Sequence, residues 1–241
     1  VELFEDLEAF GITTRYVKKN EPEAYEELIT DKTRLIFAET IGNPMLDVTD
    51  IAAVAEMAHR NHLPLIIDNT VATPYLVKPI SLGADIVVNS SSKYMNGNSD
   101  AISGVLTWSG KFKWDDERYP GMAPYKKFGP MAYIAKLRNG LFRNMGACLS
   151  PQNAFLNNLG LETLGLRMER QCANALKLAK YLDTLDGITV NYPGLPDSPY
   201  YELAKRQLHG GFGAIVTMRT GSKERAFEII NALQLPFILS N

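Results

Sequence analysis

Apolar positions along this chain come in two spacings. Between residues 34 and 107 they form brief unbroken runs, at 34–38, 65–67, 85–89 and 101–107, each of a length suited to a strand buried in a sheet. Residues 12–17 alternate apolar and polar and predict a further strand. Between the runs the period lengthens. Residues 3–10 are helix-like, and 21–29 predicts a helix with Pro22 in its first turn. In 49–59, Ile51, Val54, Ala55 and Ala58 share one helical face, with Thr49 or Asp50 available as cap. Strand and helix in that rhythm predict an α/β fold, a mostly parallel sheet with helices on both faces.

The rhythm dissolves between Gly110 and Gly129. This aromatic-bearing stretch, which includes Trp114, Asp115, Asp116 and Tyr125, reads as a surface excursion, or as a loop near an active-site entrance or subunit contact. Helical periodicity returns at Met131. Residues 162–185 form a long amphipathic run marked by Leu166, Ala173, Leu176, Leu178, Ala179 and Leu182. After it come a strand at 188–191, a turn at 193–196, a helix at 201–207, a strand at 214–218 and a helix at 223–233. The expected organisation is therefore a large domain within 1–163, then a connecting helix and a smaller α+β C-terminal domain within 164–241.

Three polar residues follow strand-like runs at equal spacing. Asn43 lies in Glu39-Thr40-Ile41-Gly42-Asn43-Pro44, Asp68 ends Leu65-Ile66-Ile67-Asp68, and Lys93 follows Ser90-Ser91-Ser92, so the three stand 25 residues apart. Open α/β sheets place ligand sites beyond the carboxyl ends of their strands. An amine there can form a Schiff base with an aldehyde, an acid can pair with a protonated pyridine nitrogen, and adjacent hydroxyls can receive a phosphate. Taken singly, each has a plainer reading: a solvated loop lysine, a helix cap, a turn signal. Together they fit the needs of pyridoxal phosphate.

These pieces resemble the Cys/Met-metabolism group of pyridoxal-phosphate enzymes. The resemblance rests on 39–44, on Asp68-Asn69-Thr70-Val71-Ala72-Thr73-Pro74, on Ser90-Ser91-Ser92-Lys93-Tyr94 with Gly97, Ser99 and Asp100, and on Gly160-Leu161-Glu162-Thr163-Leu164 with 166–170. It implies the aspartate-aminotransferase-like fold of type I, with 1–163 part of the cofactor-binding domain. It makes Lys93 the cofactor-bearing and catalytic lysine and Asp68 the partner of the ring nitrogen. Asn43 would bond the ring's phenolic oxygen, and Ser90 and Ser92 would contact the phosphate, with Ser92 where the family often has threonine. Tyr94 is expected to pack.

The implied chemistry is at the γ-carbon of an amino acid. The stretch 110–129, with Lys136-Leu137-Arg138 and the segments at 192–196 and 200–204, is most similar to O-acetylhomoserine sulfhydrylases, which join sulfide or a thiol to O-acetylhomoserine. Cystathionine γ-synthase and methionine or cystathionine γ-lyase activities stay open, as does an inactive fragment that only packs against full-length subunits. The resemblance also implies a homotetramer of dimers that share active sites. Set against the family, the chain lacks the segments that supply a ring-stacking tyrosine, a phosphate loop and a carboxylate-gripping arginine. It is expected to be an internal fragment, with both domains incomplete.

Composition narrows the alternatives. Of 241 residues 46% are hydrophobic, enough for a real core, and a net charge of −2 without basic runs points away from nucleic acid and anionic membranes. No run is long and apolar enough for a transmembrane helix. Cys148 and Cys172 read as small buried hydrophobes in helical segments, as in a reducing cytoplasm. His59, His62 and His209 read as surface residues, and with no third ligand near the first two no metal site is expected.

Overall fold

The computed structural model describes residues 2–114 and 117–238. Asp115 and Asp116 of the aromatic stretch, Val1 and residues 239–241 lie outside them. Four strands form one sheet in the order β1 (Ile36–Glu39), β2 (Leu65–Asp68), β3 (Ile86–Asn89) and β4 (Val105–Trp108). The first three run parallel, with Glu39 beside Asp68 and Asp68 beside Val88. The fourth is antiparallel to β3. A separate antiparallel pair joins β5 (Thr189–Asn191) to β6 (Thr217–Arg219). The helices are α1 (Glu2–Asp6), α2 (Pro22–Glu26), α3 (Ile51–Arg60), α4 (Thr73–Leu76), α5 (Ala132–Leu137), α6 (Arg143–Met145), α7 (Pro151–Glu162), α8 (Leu164–Leu182), α9 (Tyr201–Gln207) and α10 (Lys223–Ala232).

Strand register explains the core. Ile36, Ala38, Leu65, Ile67 and Val87 fall on one face of the pleat and are all buried. On that side they join Ile51, Val54, Ala55 and Ala58 of α3 and Leu164, Met168 and Cys172 of α8 in one apolar cluster. The opposite face presents Phe37, against which Phe4 of α1 packs edge-on with ring centroids 5.0 Å apart. The sheet is thus covered by helices on both sides, as its apolar runs require.

Helix α3 starts where its cap stands: Asp50 accepts a hydrogen bond from Ala53 N at 3.2 Å. Its first turn is also the docking point for α9. The buried amide of Gln207 accepts from Ile51 N at 3.0 Å and donates to Thr49 O at 2.9 Å. Arg206 adds a surface ion pair with Asp50 at 2.7 Å, which contributes little beside the satisfied buried amide.

Several sequence expectations change. Residues 12–17 form no strand, since no neighbouring strand pairs with their backbone among the described residues. The predicted helix 21–29 is regular only over α2, and the run at 101–107 becomes strand only from Val105. Cys172 is buried in α8, but Cys148 is exposed in an irregular segment after α6. His59 is less free than a surface reading implies: its Nε2 lies 2.8 Å from Oδ2 of the buried Asp85.

The aromatic stretch is anchored at the amino-terminal side of the sheet. Tyr119 donates to the carbonyls of Arg34 and His62, and Arg118 to that of Asn61. Those carbonyls precede β1 and β2, at the amino ends of the parallel strands. Phe112, Trp114, Tyr119 and Tyr133 pack ring on ring there, Trp114 stacking on Tyr133 at 5.6 Å. Burying aromatic surface, together with three backbone hydrogen bonds, is reason enough for this placement.

One glycine fixes how the helices meet the carboxyl edge. A Cβ on Gly160 of α7 would stand 2.0 Å from Asn96 O and 2.7 Å from Met95 O, both backbone atoms. Alanine normally favours a helix over glycine by about 1 kcal/mol. Overpacking a rigid contact costs about 1–3 kcal/mol, so the clash wins. Gly160→Ala is expected to lower the thermal midpoint and to speed proteolysis within 93–100. A midpoint at or above wild type would show that this contact is not tight.

Candidate cofactor site

The carboxyl ends of β1, β2 and β3 are laced together by short side chains. Beyond β1, the buried Thr40 donates from Oγ1 to Asn69 Oδ1 at 2.7 Å, and Asn69 Nδ2 donates to Val77 O at 3.2 Å. Beyond β2, Thr70 works in two directions. Its amide donates to Asp68 Oδ1 at 2.8 Å, and its hydroxyl accepts from Ser90 N at 2.8 Å. This relay sets the Asp68 carboxylate against the segment that carries Lys93.

The expected site residues differ in how they are held. Asp68 is half-buried, with Oδ1 pinned by Thr70. Lys93 is exposed, and its Nζ makes no hydrogen bond or ion pair among the described residues. The Ser90 side chain is likewise uncommitted there. Ser92 is not: its hydroxyl accepts from Ser103 N at 2.7 Å and donates to Ser103 O at 3.1 Å. Asn43 is exposed, joined by a cis peptide bond to Pro44, and its backbone N–H bonds the Glu39 carboxylate. Tyr94 packs half-buried against the core, and that burial raises its phenol's pKa.

Residues that no motif reading singled out for a role complete the picture. Ser103 stands under the lysine loop and receives hydrogen bonds from Ser91 and Asn157, each at 2.7 Å. Glu39 ends β1 beside Asp68. Burial, and then the Asp68 charge, raise its pKa, opposed by the Asn43 N–H. Solvent reaches Glu39, but the neighbouring carboxylate is close enough to disfavour its charge. Thr70 was visible as the hydroxyl two residues beyond the strand-end acid. Nothing in the sequence pattern marks Ser103.

A mostly parallel sheet between helices, with polar side chains gathered at its carboxyl edge, is the architecture of the fold type I pyridoxal-phosphate enzymes. The chain belongs to the Cys/Met metabolism PLP-dependent enzyme family, whose model matches residues 2–241. An O-acetyl-L-homoserine sulfhydrylase of Corynebacterium glutamicum is 40% identical, over 98% of this chain and 58% of the relative. A solved O-acetylhomoserine sulfhydrylase of Wolinella succinogenes is 43% identical with a TM-score of 0.87, over 97% of this chain and 68% of that one. A structure from Campylobacter jejuni, solved with N'-pyridoxyl-lysine-5'-monophosphate, superposes with a TM-score of 0.91 at 31% identity, over 98% of this chain and 62% of that one. The chain thus spans about 58% of the length of the curated relatives it matches.

The Thr70 relay can be tested alone. Thr70→Val keeps the shape but leaves the part-buried Ser90 N without its acceptor, which costs about 1 kcal/mol. We expect reduced stability to denaturant and faster amide exchange at Ser90, both largely restored in Thr70→Ser. Wild-type exchange in Thr70→Val would remove the relay from the account.

Proposed function

We propose that this chain is the greater part of an O-acetylhomoserine sulfhydrylase, which joins sulfide or a thiol to O-acetyl-L-homoserine and releases acetate. The observation that carries this reading is a lysine amine without a bonded partner among the described residues, on the loop beyond β3 that Thr70 ties to a carboxylate at the end of β2. The names of the relatives at 40% and 43% identity support the substrate class.

The side chains fit pyridoxal phosphate. Among the described residues the amine has no competing partner, which suits the cofactor's aldehyde, the carboxylate keeps one oxygen uncommitted, which suits its ring nitrogen, and the Ser90 hydroxyl is free, which suits its phosphate. When bound, the cofactor supplies an electron sink for carbanion chemistry on an amino acid. Lys93 Nζ would hold the cofactor through its aldehyde and, when free, would take the α-proton of the substrate. Asp68 would keep the ring nitrogen protonated by charge pairing. Asn43 would donate to the ring's phenolic oxygen. Ser90 would donate to the phosphate. Ser92, whose hydroxyl already donates to Ser103 O and accepts from Ser103 N, would serve the phosphate by holding the loop.

The domain reading follows from the same proposal: 1–163 as part of the cofactor-binding domain, 164–241 as a connecting helix and part of the C-terminal domain. We also propose a cytoplasmic enzyme that works as a homotetramer of dimers. No helix among the described residues is long and apolar enough to cross a membrane.

The test uses the enzyme with whatever flanking residues its gene encodes. We expect homocysteine to form from O-acetylhomoserine and sulfide. Asp68→Asn should fold normally yet turn over at least about a hundredfold more slowly, because removing an electrostatic partner of the reacting system costs several kcal/mol. Near-wild-type turnover in Asp68→Asn would reduce this carboxylate to a local cap.

A further inference from the structure

Lys93 sits in a segment with few regular hydrogen bonds of its own. Lys93 N donates to Ser90 O at 3.2 Å, Asn96 N to Ser91 O at 2.9 Å, and Gly97 N to Lys93 O at 2.9 Å. Nothing in that set holds the carbonyls of Tyr94 and Met95, the two residues directly after the lysine. One side chain does. Arg167 of α8 donates from Nη1 to Tyr94 O at 2.6 Å and from Nη2 to Met95 O at 3.4 Å.

The same guanidinium also grips α7. Its Nη2 donates to Gly160 O at 2.7 Å and its Nε to Thr163 Oγ1 at 2.9 Å. Gly160 O is among the last four carbonyls of α7, at the helix's negative end, where it otherwise accepts only longer bonds, of 3.3 Å, from the N and Oγ1 of the capping Thr163. No ion pair of Arg167 with a carboxylate occurs among the described residues, so carbonyl dipoles balance its charge. Partial burial lowers its pKa, which shows that this placement costs hydration.

Two glycines make the approach possible. A Cβ on Gly97 would stand 2.4 Å from the Arg167 Cζ, and Gly160 meets the backbone of Asn96. The guanidinium is therefore clamped between the lysine loop and the α7–α8 junction. A planar fork with donors in several directions can hold this set of acceptors, whereas a lysine ammonium in the same place cannot.

We propose that Arg167 is a positioning residue for Lys93. It fixes the backbone of 94–97, so that the amine, which has no side-chain partner of its own, stands at one place over the carboxyl edge. The proposal rests on the reading of Lys93 as the cofactor lysine. Misplacing a reacting group by about 1 Å can cost on the order of a hundredfold in rate, so loss of this clamp should be felt in turnover rather than in substrate binding.

The experiment compares wild type, Arg167→Lys and Thr163→Val in the intact enzyme loaded with pyridoxal phosphate. It measures the thermal midpoint, kcat and KM, amide exchange over 94–97, and the pH midpoint of the cofactor's visible absorbance. For Arg167→Lys we expect a near-native melt, kcat reduced about tenfold or more with KM changed less than about twofold, faster exchange at 94–97 and a displaced absorbance midpoint. A folded Arg167→Lys with wild-type kcat and absorbance midpoint would overturn the proposal. If Arg167→Lys does not fold, Thr163→Val decides, since it leaves Arg167 in place and removes its Nε acceptor, together with the hydroxyl's own bond to Gly160 O at 3.3 Å: a shifted midpoint supports the clamp and an unchanged one refutes it. Wild-type absorbance unaltered by Lys93→Ala would instead sink the lysine assignment, and this inference with it.

Discussion

The candidate site depends on one hydroxyl. Thr70 accepts the Ser90 amide while its own amide holds the Asp68 carboxylate, each at 2.8 Å. Parallel pairing of β2 with β3 brings these residues to the same edge, with Asp68 beside Val88. Pairing alone would leave two loops free to part where the strands end. The hydroxyl answers the part-buried Ser90 amide just where the ladder stops, and so holds these loops together as they leave the sheet.

Around that link, rigidity comes from close backbone approach. The loop bearing Lys93 lies on the α7–α8 junction because Gly97 and Gly160 have no Cβ to keep it away. Arg167 fills the joint and answers carbonyls from both sides. On the opposite face of the loop, Ser103 ties down Ser91 and Ser92. Among the described residues the amine and the Ser90 hydroxyl are left uncommitted in a segment whose surroundings are nearly all bonded. This is the arrangement expected of a reactive side chain held by supporting layers.

Much of the fold was legible in the chain because its strands are buried on both faces and read as apolar runs. Strands β1 to β3 and helix α3 with its Asp50 cap follow directly from pattern. The alternation at 12–17 misled because a strand needs a partner, and none pairs with it here. Lys93, Asp68, Asn43, Ser90 and Ser92 stood out as polar residues after apolar runs. The division of labour between Ser90 and Ser92 did not, because it turns on Ser103, a residue brought near only by the antiparallel return into β4. Arg167 carried a motif but no role, since its two acceptors on the lysine loop are backbone atoms 72 and 73 residues away. Cys148 shows the converse: a residue type that is usually buried is exposed here, after a helix that ends at Met145.

The central claim is that Lys93 carries the cofactor, and chemistry on the protein tests it directly. Borohydride reduction of the enzyme with bound pyridoxal phosphate, followed by peptide mapping, should find the pyridoxyl group on Lys93 and lose it in Lys93→Ala. A label on Lys78, or on any other lysine, would contradict the account.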